Sequence, residues 1–276
     1  MPLNGDGWTP SEFHRFIESL GTATRTALVD TNIGTGYLKG LGNPEGPQAL
    51  AAEYIGSELA SWLGLRTLDY AIMNIRATDE IPLRGAGMVQ SGPAFISRNE
   101  DKAQPWDGTA DMLNRLSNPE GVTGLIVIDT WIRNCDRSSP DRRRRHVDNV
   151  LFIWEPKPKR KLRILAMDFT HAFNCGNEIT HRISGIDFTK DERLYGLFPE
   201  FEALINPQIV DDLAEKLGTL TRREVQQILD AVPAEWEING RVRSSLISFI
   251  LERARFLSEN LGQIVKGHMN PVTGGA

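Results

Sequence analysis

Only two cysteines, Cys135 and Cys175, occur among the 276 residues. Two are too few for a disulfide framework, and a reducing cytosol would keep both as thiols. No stretch approaches the roughly 18 uninterrupted apolar residues of a spanning helix. Met1-Pro2-Leu3-Asn4-Gly5-Asp6 lacks the basic and apolar regions of a signal peptide. A cytoplasmic location without membrane association is therefore expected. Positive charge is not in excess: the formal net charge is -5 and the pI about 5.6. Such a balance gives no whole-molecule attraction to nucleic acid or to an anionic bilayer, so any basic site must be local. Internal repeats and low-complexity tracts are missing. So is the close cysteine pairing of zinc sites, and a zinc centre built from Cys135, His146, His171 and Cys175 is not expected. What remains, 40% hydrophobic and 24% charged residues, is the composition of an ordinary globular protein able to bury a core.

Local signals divide the chain into a β-rich first part and a mainly helical second part. Thr9-Pro10-Ser11-Glu12 reads as a capping box opening a helix that ends at Gly21. Arg25 to Asp30 and Thr35 to Leu41 read as two strands of a hairpin, with Gly34 and Gly36 near its turn. The breaker run Gly42-Asn43-Pro44-Glu45-Gly46-Pro47 precedes a long helix, Gln48 to Leu63, stopped by Gly64. Strands are expected at Leu68 to Ile75 and Gly87 to Ser97, and a polar linker from Arg98 to Gly108. Beyond it come helices at Ala110 to Leu116 and Gly121 to Arg133, the second apolar all round and so a core helix. A second hairpin follows at Val150 to Trp154 and Leu162 to Met167. Further helices occupy Pro207 to Leu217, Arg222 to Ala231 behind a Thr221 to Glu224 capping box, and Gly240 to Leu261. The expected organisation is α+β, with one lobe over residues 1–98 and another over residues 99–276.

Phosphoryl transfer requires a cation on the phosphates, oxygen ligands for magnesium, and a carboxylate near the accepting hydroxyl. Each residue type occurs in a suitable place. Lys39 interrupts an apolar strand, where it either faces solvent or has an assigned partner. Glu53 lies on a small-residue strip of the following helix with Ala49, Gly56 and Ala60. That strip permits close approach, and an ion pair with Lys39 is expected. Asn134-Cys135-Asp136-Arg137, Asp148-Asn149 and Asp168-Phe169-Thr170-His171 cluster at the ends of the second hairpin. Taken singly such residues are turn formers or caps. Taken in order they can converge on one cleft with hard oxygen ligands.

These segments, with Tyr37-Leu38-Lys39-Gly40, Ala51-Ala52-Glu53, Gly92-Pro93-Ala94-Phe95, His146-Val147-Asp148-Asn149 and Asp168 to Phe173, resemble the HipA-like kinases, in order from about residue 25 to residue 255. The resemblance implies a bilobal protein-kinase-like fold with ATP between the lobes. On that mapping Lys39 contacts the phosphates, Glu53 orients it, Asp136 is the catalytic acid/base, and Asn149 and Asp168 hold magnesium. Gly34, Gly36, Phe95 and Ser97 are the remaining candidate nucleotide contacts. The implied activity is that of a serine/threonine protein kinase. The alternatives are a nucleotide-binding pseudokinase or scaffold, or a kinase of a small molecule or lipid headgroup. The phosphoacceptor, any protein partner and the oligomeric state stay open.

One departure from the family pattern matters. Ser138-Ser139-Pro140-Asp141-Arg142-Arg143-Arg144-Arg145 separates Asp136-Arg137 from His146. An insert of this composition is expected to bulge outward and leave its anchors in place; if it instead redirects the loop, either Asp148 is the substitute base or catalysis is lost. With Lys157, Lys159, Arg160 and Lys161, its arginines form either a solvated surface or a rim for acidic or phosphorylated substrates.

Overall fold

Burial alternates along Gly34–Leu41 (β3): Gly36, Leu38 and Gly40 are buried, while Tyr37, Lys39 and Leu41 are half-buried on the opposite side. This period of two sets the face that Lys39 occupies. The computed structural model describes residues 7–156 and 161–269. The Met1-Asp6 segment and the basic residues Lys157, Lys159 and Arg160 lie outside the described residues.

Three strands, Phe13–Ser19 (β1), Ala27–Thr31 (β2) and β3, are followed by a helix, Pro47–Leu63 (α1), and the strand Tyr70–Ile75 (β4). After the short pair Pro82–Leu83 (β5) and Gly87–Met88 (β6) comes the strand Gln90–Arg98 (β7). The main sheet is antiparallel, in the order β1-β2-β3-β7-β4. Its remote face has its own apolar cluster around Trp8, Val29, Leu38, Met73 and Ile96.

The helix expected from Thr9 to Gly21 is instead the edge strand β1. Asn32 Oδ1 accepts from the backbone N–H groups of Ser11 and Glu12 at 3.0 and 3.2 Å, which ties the apparent capping box to the hairpin turn. Register shifts between Phe13 and Arg15 and between Phe16 and Glu18 interrupt the pairing with β2. Bulges of this kind let Phe13 and Phe16, three apart, pack on one cluster. A helical spacing is thereby produced in a strand.

The stretch Arg98 to Gly108 is likewise more than a linker. Ala103–Pro105 (β8) pairs with Leu151–Trp154 (β9), which pairs with Leu162–Leu165 (β10), in a small sheet. Trp106 immediately follows, is fully buried, and stacks on Phe201 with a 5.2 Å centroid separation.

The second part contains Ala110–Leu113 (α2), Glu120–Ile132 (α3), Ile186–Thr189 (α4), Pro207–Gly218 (α5), Arg222–Asp230 (α6) and Gly240–Met269 (α7). The capping box of α6 is present, with Thr221 and Glu224 bonded reciprocally. α3 is buried along nearly its whole length, as its apolar composition requires. No helix among the described residues is long and apolar enough to cross a membrane. The cysteines, expected as separate thiols, are paired: Cys135 and Cys175 form a disulfide with their Cα atoms 5.5 Å apart. Forty residues separate them in sequence, so only the fold reveals their proximity.

Candidate active site

Cross-strand pairing builds one wall of the cavity. Lys39 lies opposite Phe95, and Tyr37 opposite Ser97, so the four share the face that the alternation of β3 selects. Tyr70 of β4 is paired with Ser97 and stacks on Phe95 at 5.7 Å. α1 runs beneath this face, and Gly56 lets it close against the segment after β10. A Cβ placed on Gly56 would lie 2.4 Å from that of Phe169. The small-residue strip of α1 thus meets the segment after β10 rather than the sheet alone. Glu53, one turn earlier, is carried to the strand lysine.

Lys39 Nζ donates to Glu53 Oε2 at 2.6 Å, Asp168 Oδ1 at 3.1 Å and Thr170 Oγ1 at 2.9 Å. All three ammonium hydrogens therefore have acceptors. Glu53 Oε2 also accepts from the Phe169 backbone N–H at 3.2 Å and the Thr170 hydroxyl at 2.8 Å. The side chain of Glu53 keeps 5% of its surface exposed, against 25% for Asp168, which leaves the aspartate open to the cavity. Burial disfavours the charged lysine, but Asp168 and Glu53 outweigh it and hold Lys39 above its usual range. Burial likewise opposes ionisation of Asp168, and Lys39 again reverses the sign, so the carboxyl is held below its usual range. Asp168 has a left-handed backbone, φ 60°, a conformation that Asp and Asn adopt more readily than most residues.

Across the cavity, Asn149 Nδ2 donates to Asp136 Oδ2 at 2.8 Å. The amide nitrogen being so engaged, the Asn149 carbonyl oxygen is the atom suited to a cation. The insert bulges outward, as expected. Ser138 pairs with Arg145 across its base, and Arg142 and Arg145 bond Glu202 and Glu200 at 2.7 and 2.6 Å. Arg143 pairs with Asp141 at 3.7 Å, so three of the four arginines have carboxylate partners among the described residues. Asp136 Oδ1 also faces His146 Nδ1 and His171 Nδ1, each at 3.1 Å. Burial raises the Asp136 pKa, but His171, His146 and Asn149 together bring it below the usual carboxylate range. His171, bonded to Asp136 and to Glu45 Oε2, is raised to about 9 in spite of its burial.

Lys39, Glu53, Phe95, Ser97, Asp136, Asn149 and Asp168 all line a cavity of about 630 Å³, within the range of small-ligand pockets. Asp148 lines it too, but Asp136 is the carboxylate in contact with Asn149. Gly34 and Gly36 do not line it. Gly36 lies against Ile96 and Trp8, where a Cβ would come within 2.8 Å of either, and Gly34 makes the β2–β3 turn. Their nearness to Lys39 in sequence carries no nearness to the cavity, because Gly36 faces the opposite side of β3.

Sequence reasoning passed over Arg137. Its guanidinium is completely buried and bonds Asp129 Oδ2 at 2.7 Å, Met167 O at 2.7 Å and the backbone carbonyl of Asn149, not the side-chain amide oxygen. One planar fork thus fixes the backbone at Asn149 and beside Asp168, a task for which several donors in fixed directions are suited. Its signal was its place beside Asp136. Thr170 and His171 gave a weaker one, their closeness to Asp168.

Residues 32–263 match the family model described as HipA-like kinase. No curated protein matches the chain. Among solved structures, the chain is similar to a Helicobacter pylori proinflammatory kinase, CtkA, with a TM-score of 0.58 and 12% identity over 94% of this chain and 97% of that one. At that identity the likeness speaks for a kinase-like fold. The family match spans most of the chain and includes every residue of the Lys39, Asp136 and Asp168 clusters: the chain belongs to the HipA-like kinase family.

Proposed function

We propose that this protein is an ATP- and magnesium-dependent phosphotransferase acting on serine or threonine hydroxyls of a protein. The observation that carries the reading is the meeting of Lys39 with Glu53 and Asp168 on one side of the cavity and of Asp136 with Asn149 on the other. Lys39, oriented by Glu53, is placed to bind nucleotide phosphates. Asp168 and the Asn149 carbonyl oxygen supply the hard donors that magnesium takes. A bound magnesium ion would neutralise charge developing on the transferred phosphoryl group. Asp136 is placed to accept the proton of the attacking hydroxyl. Phe95, Tyr37 and Tyr70 give the cavity an apolar side suited to a base.

A pseudokinase would follow if the insert had displaced Asp136. The 2.8 Å contact between Asp136 and Asn149 favours an intact catalytic loop instead. The test is ADP formation from ATP and magnesium, with dephosphorylated casein as acceptor, for the wild type and Asp168→Asn. Asn tolerates the left-handed backbone of position 168, so the substitution removes charge without adding strain. Turnover by the wild type alone supports the reading. A fluorescent ATP analogue that binds without any turnover would favour the pseudokinase.

A further inference from the structure

Glu45 sits in the loop before α1, Asp136 in the loop after α3, and His171 three residues past Asp168, yet the three side chains form one chain of contacts. Glu45 Oε2 lies 3.1 Å from His171 Nε2, and His171 Nδ1 lies 3.1 Å from Asp136 Oδ1. The imidazole is 21% exposed and the two carboxylates 28% and 22%, so the row is largely shielded from water. Its two ends are held independently. Asn43, buried, donates from Nδ2 to the carbonyls of Gly40 at 2.8 Å and Gly46 at 3.2 Å, which ties the loop carrying Glu45. Asp136 is held from its other oxygen by Asn149. On the ring's flank, a Cβ on Gly176 would stand 2.9 Å from His171 Cδ2, so glycine there lets the backbone close against the imidazole.

We infer that His171 is a positioning residue for phosphoryl transfer: braced by Glu45, it donates from Nδ1 to Asp136 Oδ1 and so fixes how the carboxylate faces the acceptor. The inference rests on Asp136 being the acceptor-side base, as proposed above. A carboxylate can rotate about its Cβ–Cγ bond. Donors to Oδ1 and Oδ2 from opposite sides stop that rotation before an acceptor arrives, which is the saving that preorganised geometry provides. His146 also reaches Oδ1, but it is 47% exposed, and among the described residues its other ring nitrogen has no second partner. His171 is the member with a brace. The arrangement also links the first lobe to the base, since Glu45 belongs to the loop that joins β3 to α1.

The geometry predicts a directional rescue. Asn at position 171 can present its amide near the place of Nδ1, toward Asp136, whereas Gln reaches toward the place of Nε2, toward Glu45. Turnover of ATP and magnesium with dephosphorylated casein is measured for wild type, His171→Ala, His171→Asn and His171→Gln, alongside binding of a fluorescent ATP analogue. His171→Ala is expected to lower kcat by about 10²-fold, the scale of a misplaced catalytic group, with KM for ATP unchanged. His171→Asn is expected to recover at least about tenfold of that loss and His171→Gln much less. Wild-type kcat in His171→Ala overturns the inference, as does rescue by Gln equal to or better than by Asn. A loss appearing only in KM for ATP overturns it as well. If the alanine variant does not fold, the comparison of the two amides decides. Absence of ADP formation by the wild type overturns the phosphotransferase reading and this inference together, whereas a working wild type beside an unimpaired His171→Ala overturns this inference alone.

Discussion

Asp136 and Asp168 differ in what surrounds them, and the difference predicts separable losses. Asp168 lies against the lysine ammonium and keeps a quarter of its surface exposed in the cavity, which under the proposed function puts its charge beside the phosphates and their cation. Among the described residues Asp136 is held by Asn149 and by the imidazoles of His146 and His171, and under the proposed function it faces the acceptor. Asp136→Asn is expected to bind the ATP analogue like the wild type while kcat falls by about 10²- to 10⁴-fold, the usual worth of general acid-base catalysis. Undiminished turnover in Asp136→Asn beside a dead Asp148→Asn would move the base to Asp148, which also lines the cavity. A second residue-scale expectation concerns Glu58, fully buried in α1 with Tyr54 and Tyr70. Burial is the largest influence on its carboxyl and pushes it from 4.5 up to about 7, the neighbouring tyrosines opposing the rise. The folded state therefore holds the proton more tightly than the unfolded chain. The stability this provides is complete below pH 4.5 and is lost as pH rises through about 7. Glu58→Gln should lack that decline, gaining on the wild type by about 1–3 kcal/mol between pH 5 and pH 8 in urea unfolding. Parallel pH dependences in the two proteins would show that Glu58 does not titrate in this range.

Elements carry the site by close approach, and α1 is the clearest case. Gly56 abuts Phe169, one residue from Asp168, so a methyl group there must push either the helix or the Asp168 segment. Gly56→Ala is expected to destabilise the fold by about 1–3 kcal/mol, the cost of overpacking, and to lower kcat because Glu53 and Asp168 ride on the two surfaces forced apart. Unchanged stability and turnover would mean that Phe169 yields without moving Asp168. This example marks how much was legible in the sequence. Lys39, Glu53, Asp136, Asn149 and Asp168 were identifiable because each sits at the end or middle of a strongly patterned element. The run of helices and both hairpins were readable for the same reason. β1 was not, because its bulges give Phe13 and Phe16 the spacing of a helix face. β8 was hidden in a polar stretch whose one strong signal, Trp106, only the three-dimensional packing explains. Arg137 was marked only by its place beside Asp136, and the Cys135–Cys175 pair by nothing local, since Met167 and Cys175 are distant in sequence from the residues they meet.

At the scale of the whole molecule, α1 binds the lobes into one cooperative body. Its residues Leu50, Ile55, Leu59 and Leu63 belong to the same apolar core as Trp131, Phe173, Trp236 and Phe249, while the remote face of the main sheet and the small sheet around Ile153 and Leu165 have clusters of their own. Polar ties cross as well: Trp236 Nε1 donates to Pro93 O at 3.0 Å, and Gln48 Oε1 accepts from the Ile179 N–H at 2.6 Å. A single unfolding transition is therefore expected in spite of two lobes. The ligand cavity lies across the same boundary, lined from β3 and β7 on one side and by Asp136, Asn149 and Asp168 on the other. A ligand held there binds the folded chain only and must shift that one transition as a unit. At about 100 times its dissociation constant, ATP with magnesium should add about 2.7 kcal/mol, and at about 2–4 °C per kcal/mol the midpoint should rise by about 5–10 °C. Because Asp168 lines the cavity beside Lys39 and is the proposed carboxylate donor to the cation, the part of this rise that EDTA removes should be missing in Asp168→Asn. Scanning calorimetry of both proteins with ATP, with and without EDTA, checks the expectation. An EDTA-sensitive rise of equal size in the two proteins would place the cation away from Asp168. Two resolved transitions, with only the lower one moved by ATP, would show that α1 does not join the lobes energetically.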